Sequence, residues 1–98
     1  MRIEIDNKKL SKALENPRTM RSEFGRLAES IQDRLSEFTG ASCLDEIPTC
    51  PPPVRHKLQG GLWAVRLSRN YRMVFKGEGG EDPKEITWVT ILRIEDYH

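Results

Sequence analysis

One stretch of the chain, residues 54–76, concentrates cations and contains no acid. Its six basic residues are Arg55, Lys57, Arg66, Arg69, Arg72 and Lys76. The whole chain has 16 basic and 15 acidic residues and a net charge of +1, so the charge is segregated along the sequence. A cationic segment in a balanced chain favours local binding of a polyanion, and a phosphate backbone is the commonest such ligand. The alternative is the solvated outer face of a strand.

The elements that position these cations are predicted from the alternation of apolar and polar residues. The alternation runs through 56–59 and again through 63–68, which is typical of half-buried strands. A turn is predicted at 68–70, and a further strand from Tyr71 to Lys76. We expect the resulting hairpin to present its cations from one face.

The N-terminal part predicts one strand and two helices. Residues 1–6 alternate as a strand, and Asn7 can cap a short helix over 8–15. Asn16 and Pro17 are a strong start signal for a second helix, and Gly40 is placed to end it. One apolar stripe runs along that helix: Met20, Phe24, Leu27, Ile31, Leu35 and Phe38. Its charged residues, including Arg34 and Glu37, are assigned to the other faces.

The remaining segments complete an α+β domain. Four prolines between 48 and 53 predict a stiff, extended connector that leads into the basic hairpin. Residues 86–96 are apolar in both registers as far as Ile91, which predicts a central strand buried on both faces. The length fits a single domain over 1–98 with one modest core. Helices followed by a run of strands favour helices packed on one face of a sheet.

Several classes of protein are not favoured by the composition. No segment approaches the ~20 apolar residues of a membrane span, and the N-terminal residues have no apolar core of a secretory signal. A cytoplasmic location is therefore expected. Cys43 and Cys50 are predicted to be free thiols in a reducing compartment. A zinc site would need four ligands, to which only His56 and His98 could be added, so neither a metal nor a cofactor is predicted.

The C-terminal half resembles the RelE/HigB-type toxins of bacterial toxin–antitoxin systems, the plasmid maintenance killer family of the RelE/ParE superfamily. The resemblance is carried by HKLQG at 56–60, WAVRLSRNYRMVF at 63–75 and ILRIEDYH at 91–98. It covers about half of the chain by motif. It implies the RelE-like fold, in which two N-terminal helices pack on one face of a small, curved, mainly antiparallel sheet.

The resemblance also implies an activity and partners. These toxins are metal-independent endoribonucleases that cleave mRNA, usually on the ribosome, by attack of a 2′-hydroxyl on the adjacent phosphate. Each is neutralised by a cognate antitoxin, often of helix-turn-helix type, through which alone it contacts DNA. By position in the motifs, Arg72 would hold the scissile phosphate and His98 would transfer a proton. Tyr97 would stack on a base or donate a hydrogen bond to phosphate.

Two positions depart from the family pattern. Gln59 stands where the family has a Lys, and Ser68 stands where it often has an Arg. We hypothesise that Lys57 and Arg66 take over these roles, since residues two apart share a strand face. The predicted catalytic residues are Arg72, His98, Lys57 and Tyr97, and the predicted RNA-binding residues are Arg55, His56, Gln59, Arg66, Arg69 and Lys76. The alternative is a weakened or inactive member that acts as an RNA-, ribosome- or protein-binding module.

Overall fold

The computed structural model describes residues 1–97 as three helices and one five-stranded sheet. The strands are β1 (Arg2–Ile5), β2 (His56–Lys57), β3 (Leu62–Arg66), β4 (Tyr71–Glu78) and β5 (Trp88–Asp96), and the helices are α1 (Lys8–Ala13), α2 (Pro17–Phe24) and α3 (Ala28–Gly40). The sheet order is β1-β5-β4-β3-β2. The β1–β5 pair is parallel and the other three pairs are antiparallel. The predicted α+β class is confirmed.

The starts of both predicted helices are confirmed by their caps. The side chain of Asn7 accepts a hydrogen bond from the backbone N–H of Leu10, at 2.8 Å. At α2, Asn16 and Thr19 form a reciprocal capping box, in which each side chain accepts from the other's backbone N–H. Pro17 occupies the first helical position, where the N–H that it lacks is not needed.

The prediction of a single long helix over 17–40 is wrong, because the helix is interrupted at Gly25. This residue has φ +54° and ψ −120°, a conformation that side chains strongly disfavour and glycine tolerates. A 3₁₀ turn over Gly25–Leu27 then leads into α3. The apolar stripe still faces the sheet on both sides of the break: Met20, Ile31 and Phe38 are buried, and Phe24, Leu27 and Leu35 pack against the core.

The core lies between α3 and one face of the sheet, which we call the covered face. Its strand residues are Trp63, Val65, Met73, Phe75, Val89 and Ile91. Phe38 of α3 meets Phe75 edge to face, with ring centroids 5.1 Å apart. β5 is central, as predicted, but it is fully buried on this face alone. Trp88, Thr90 and Leu92 are only half buried, so the prediction of burial on both faces is wrong.

The proline-rich connector is fixed to the sheet by its backbone. The N–H of Arg66 donates to the carbonyl of Pro53 at 2.6 Å, and the N–H of Arg55 donates to the carbonyl of Pro48 at 3.0 Å. Cys43 and Cys50, which flank the start of this segment, carry free thiols. Within residues 1–97, no helix has both the length and the apolar content to span a membrane. No group of His, Cys, Asp or Glu in the same range is placed to hold a metal ion.

Candidate functional site

The strand register brings residues from four strands together on the side of the sheet away from the core, which we call the open face. One row runs across it from Arg66 through Arg72 to Glu95. The next row joins His56, Ala64, Val74 and Arg93. Directly paired residues of antiparallel strands project from the same face, so these seven side chains are neighbours. Ala64 and Val74 are small and fully buried, and they form the floor beneath the longer chains around them.

Arg72, the predicted phosphate ligand, lies on this face with an acidic partner. Its Nε and Nη2 both donate to Oε2 of Glu95, at 3.1 and 2.8 Å. Its guanidinium also lies over the ring of Tyr97, 5.0 Å from the centroid. The sequence stretch 54–76 is free of acid, but the open face is not, because β5 supplies a carboxylate directly opposite Arg72.

Glu95 is held by two arginines at once. Its second oxygen, Oε1, accepts a hydrogen bond from Nε of Arg93. The hydrogen bond from Arg93 has the largest effect and lowers the pKa of the Glu95 carboxyl. Burial, the next largest effect, raises this pKa, and the hydrogen bond and positive charge of Arg72 lower it, so that the net shift is downward. The carboxylate is therefore ionised at neutral pH, and both of its oxygens are occupied by guanidinium groups.

Arg66 supplies a cation that no acid neutralises within residues 1–97. It is exposed and lies directly opposite Arg72 in the β3–β4 pair. Like charges in this position repel each other, and an anionic ligand between them would relieve the repulsion. Its backbone is fixed from the helix side, where Nη1 of Arg34 donates to the Arg66 carbonyl at 3.4 Å. The predicted sharing of a strand face with Ser68 is wrong, since β3 ends at Arg66.

His56 lies on the open face with a defined tautomer. Its Nδ1 is 2.9 Å from the backbone carbonyl of Val54. A carbonyl oxygen can only accept a hydrogen bond, so Nδ1 must carry the hydrogen. In the neutral ring, the lone pair is then on Nε2, where it can accept a hydrogen bond from a ligand.

Other predicted site residues are not brought to this cluster. Lys57 pairs with Trp63 and therefore projects from the covered-face side of the edge strand, with its Nζ 5.8 Å from the indole centroid. Gln59 begins a 3₁₀ turn, so the prediction that it shares a strand face with Lys57 is wrong. The hypothesis that Lys57 replaces the missing Lys beside Arg72 is not supported by this placement.

Arg55 is committed to the connector. Its Nε donates to the carbonyl of Ile47 at 2.7 Å, and its guanidinium lies over Trp63 at 5.6 Å. Its side chain is only 10% exposed, and Nη2 is 3.9 Å from the carboxylate of Asp45. These contacts place Arg55 as a structural anchor.

The last three predicted residues lie at or beyond the border of the cluster. Arg69 is exposed in the turn between β3 and β4. Lys76 is on the open face, and its Nζ is 3.4 Å from the carboxylate of Glu78. His98 lies outside the described residues, so its predicted convergence with Arg72 stays a prediction.

Sequence reasoning missed Arg93 and Glu95 as members of the site. Neither residue is among the predicted site residues. A signal was present, because charged residues two apart interrupt an otherwise apolar strand and must share one face. Their pairing with Arg72 depended on the strand order, which the spacing did not give. Arg34 was assigned to a helix face away from the apolar stripe, but its side chain is buried and only 6% exposed.

The fold of this chain is similar to that of a solved protein structure. No family model matches the sequence, and no curated protein sequence matches it either. Among solved structures, a YoeB/ParE toxin from Agrobacterium tumefaciens matches over 100% of both chains, with a TM-score of 0.61 and 14% sequence identity. At that identity the likeness concerns the fold, so this chain is similar in fold, over its whole length, to a toxin of the YoeB/ParE type.

Proposed function

We propose that this chain is the toxin of a toxin–antitoxin pair and an endoribonuclease that cleaves mRNA on the ribosome. The observation that carries the proposal is the cluster of Arg66, Arg72 and Arg93 on the open face, with His56 and Tyr97 beside it. It stands on a fold similar to that of a YoeB/ParE toxin. The HKLQG, YR and EDYH motifs resemble the RelE/ParE superfamily, and His56, Arg72 and Glu95 of these motifs lie on β2, β4 and β5.

The chemistry requires fixed cations and proton transfer. The 2′-hydroxyl of RNA loses a proton and attacks the neighbouring phosphate, the 5′-oxygen leaves with a proton, and the extra negative charge on phosphorus must be stabilised. Arg72 holds the scissile phosphate in this proposal, because the planar guanidinium matches two phosphate oxygens. Arg66 adds the second cation from the opposite strand. Tyr97 packs under the Arg72 guanidinium and keeps it in place.

Proton transfer is assigned to an imidazole. His98, next to Tyr97 in sequence, is the candidate acid or base, since imidazole titrates near neutral pH. His56 binds RNA through Nε2, which carries the lone pair when Nδ1 donates to the Val54 carbonyl. Arg69 and Lys76 extend the cationic surface on either side of the cluster and contact neighbouring phosphates.

The partners follow from the proposed function as the nuclease toxin of a toxin–antitoxin pair. The substrate is mRNA in the ribosome, and the protein acts in the cytoplasm. A cognate antitoxin, of helix-turn-helix type in this proposal, neutralises the toxin and makes the contacts with DNA.

A second candidate function is a non-catalytic RNA-, ribosome- or protein-binding module. The pairing of Arg72 with Glu95 favours it, because that carboxylate already neutralises the proposed phosphate ligand. Gln59 and Ser68, which replace charged residues of the family pattern, favour it as well.

The test is cleavage of a defined mRNA on purified, translating ribosomes, read by primer extension. We expect wild-type protein to cut and Arg72→Ala to lose at least ~10²-fold in rate, as when one oxyanion-stabilising donor is removed. Arg18→Ala is the matched control, since Arg18 is exposed on α2 and forms no ion pair with any of residues 1–97. Its rate should equal that of the wild type.

Binding separates the two candidates. Ribosome binding without cleavage by the wild type would support the binding module and reject the nuclease. If the nuclease proposal holds, Arg66→Ala should weaken RNA binding and reduce the slope of log affinity against log salt by about one. A salt-independent interaction would point to a protein partner instead.

A further inference from the structure

The Glu95 carboxylate is the one acid that the structure places against Arg72 within residues 1–97, and the proposed reaction gives it no role. It pairs with Arg72 across the β4–β5 ladder and accepts hydrogen bonds from two guanidinium groups. Its side chain is 23% exposed, so it lies at the rim of the face and not beneath it. An acid at the centre of a proposed phosphate site either blocks the site or organises it.

The geometry of the guanidinium distinguishes these roles. Glu95 engages one edge of Arg72, through Nε and Nη2, and uses a single oxygen to do so. Nη1 is not engaged by Glu95, and Nη2 carries a second N–H. The end of the guanidinium therefore keeps donors with which it can bind two phosphate oxygens while the Glu95 contact persists.

Two further contacts make the arrangement rigid. Arg93 holds the other oxygen of Glu95, so the carboxylate cannot rotate without losing a bond. The ring of Tyr97 lies against the Arg72 guanidinium, 5.0 Å from its carbon. Arg66 lies opposite Arg72 and has no acidic partner within residues 1–97, so the cluster of Arg66, Arg72, Arg93 and Glu95 is positively charged even when Glu95 is ionised. A flexible arginine that is fixed before the substrate arrives loses less entropy on binding.

We propose that Glu95 is a positioning residue of the candidate nuclease site, which fixes the Arg72 guanidinium so that its free end meets the scissile phosphate. The inference rests on the proposed function. It predicts that Glu95 raises the rate of cleavage while it lowers the affinity for RNA. Its negative charge weakens the attraction of the face for RNA, whereas its hydrogen bonds place Arg72 for the transition state.

The first experiment separates rate from binding in three variants: Glu95→Gln, Glu95→Ala and, as the matched control, Glu4→Gln. Glu4 lies on β1 of the same sheet, is more exposed and, within residues 1–97, pairs only with Arg2. Single-turnover cleavage is measured at saturating ribosome, and the dissociation constant for a 2′-deoxy mRNA is measured on the same samples. We expect Glu95→Ala to lose on the order of 10²-fold in rate, the cost of a misplaced catalytic group, while its binding tightens.

The cleavage rate of Glu95→Gln should lie between those of Glu95→Ala and the wild type, because the amide oxygen still accepts a hydrogen bond but carries no charge. Glu4→Gln should retain the wild-type rate. A rate that rises in Glu95→Gln would overturn the proposal and identify Glu95 as a blocking group. An unchanged rate, or a parallel loss of rate and binding, would overturn it as well.

A second measurement does not depend on cleavage. The Arg72 Nε–H resonance is followed by NMR in wild type as the 2′-deoxy RNA is added. If Glu95 positions Arg72, this N–H stays protected from solvent exchange with and without RNA, and Glu95→Gln reduces its protection. Loss of protection on RNA binding would show that phosphate displaces Glu95, which overturns the inference. If wild type keeps the protection but never cuts mRNA, the proposed function fails and the positioning contact stands.

Discussion

Two arginine–glutamate pairs lie on opposite sides of the same sheet, and they differ in what their arginines can still bind. Arg34 and Glu37 belong to α3, on the covered side, and Arg72 and Glu95 belong to the open face. The Arg34 side chain is 6% exposed and that of Arg72 is 20% exposed. Both arginines are charged and paired, so pairing alone does not distinguish a structural cation from a candidate ligand site.

The difference lies in the remaining donors. Nη2 of Arg34 donates to Glu37 at 3.0 Å and Nη1 donates to the Arg66 carbonyl. Because the side chain is almost fully buried, its remaining N–H groups are not accessible to a ligand. Its Nε is 2.9 Å from Oε1 of Glu37 without hydrogen-bond alignment, which makes that contact electrostatic. Arg72 uses only the Nε–Nη2 edge of its guanidinium to bind Glu95. The end of the group remains available, and Arg66 supplies a second cation on the neighbouring strand. A buried pair therefore fixes the end of β3, and a rim pair fixes an arginine that can still receive a phosphate.

The largest effect on stability is expected from a substitution in the core that packs against the covered face of the sheet. Phe38 is fully buried and packs edge to face on Phe75. We expect Phe38→Ala to lower the free energy of unfolding by about 3–5 kcal/mol, because it removes buried area and leaves a cavity. Urea unfolding followed by circular dichroism measures this change. A loss below 1 kcal/mol would mean that the helix layer does not depend on this contact.

The next effect concerns the buried pair. We expect Arg34→Ala to cost about 2–3 kcal/mol, since it removes hydrogen bonds to a carboxylate and leaves Glu37 partly buried without its partner. Replacement by Met, which keeps the packing of the aliphatic stem, should recover part of the loss. The same unfolding assay measures both variants. If Arg34→Ala were as stable as the wild type, the buried pair would not be a structural pair, and its contrast with Arg72 and Glu95 would fail.

The rim pair should be coupled more weakly. In a double-mutant cycle with Arg72→Ala and Glu95→Ala, we expect a coupling free energy of roughly 0.5–1 kcal/mol, typical of a partly exposed ion pair. The cycle is measured by urea unfolding at low and high salt, and salt should reduce the coupling. A coupling as large as the cost of Arg34→Ala would show that the two pairs do not differ as the exposure of their side chains indicates.

The smallest effect is a dependence of stability on pH. The pKa of Glu95 is lowered in the folded state, chiefly by Arg93 and then by Arg72, with Arg66 and Tyr97 also near the pair. Its contribution is therefore complete above the usual glutamate pKa of about 4.3 and is lost as the pH falls through the lower folded value. Glu95→Gln should lose less stability than wild type between neutral pH and about pH 3. Identical acid unfolding of the two proteins would contradict the assigned shift.

Local signals in the sequence predicted most of the elements. Asn7, Asn16 and Pro17 marked the helix starts because a cap depends on residues within one turn. The turn predicted at 68–70 and the start of β4 at Tyr71 followed from alternation interrupted by polar residues, although β3 already ends at Arg66. The break at Gly25 was missed because the apolar stripe continues across it. Periodicity reports which side faces the core, and it does not report whether the backbone between two apolar residues is helical.

The candidate site was predicted only in part. Arg66, Arg72, Tyr97 and His56 were proposed from their positions, and the structure brings these four to one face or its end. Lys57 and Gln59 were expected to share a face, and β2 ends between them. The residues that complete the cluster, Arg93 and Glu95, come from β5, and Glu95 is 23 residues beyond its partner Arg72.

The sequence by itself determined that the chain forms an α+β domain with a concentrated run of cations, because composition, caps and alternation act between residues close in the chain. Only the tertiary structure decided which of those cations face a ligand and which are used internally. Placing β5 beside β4 set Glu95 against Arg72, and packing α3 under β3 buried Arg34. Such partners are chosen by strand order and layer packing, which depend on contacts between segments far apart in sequence and are not written in any local pattern.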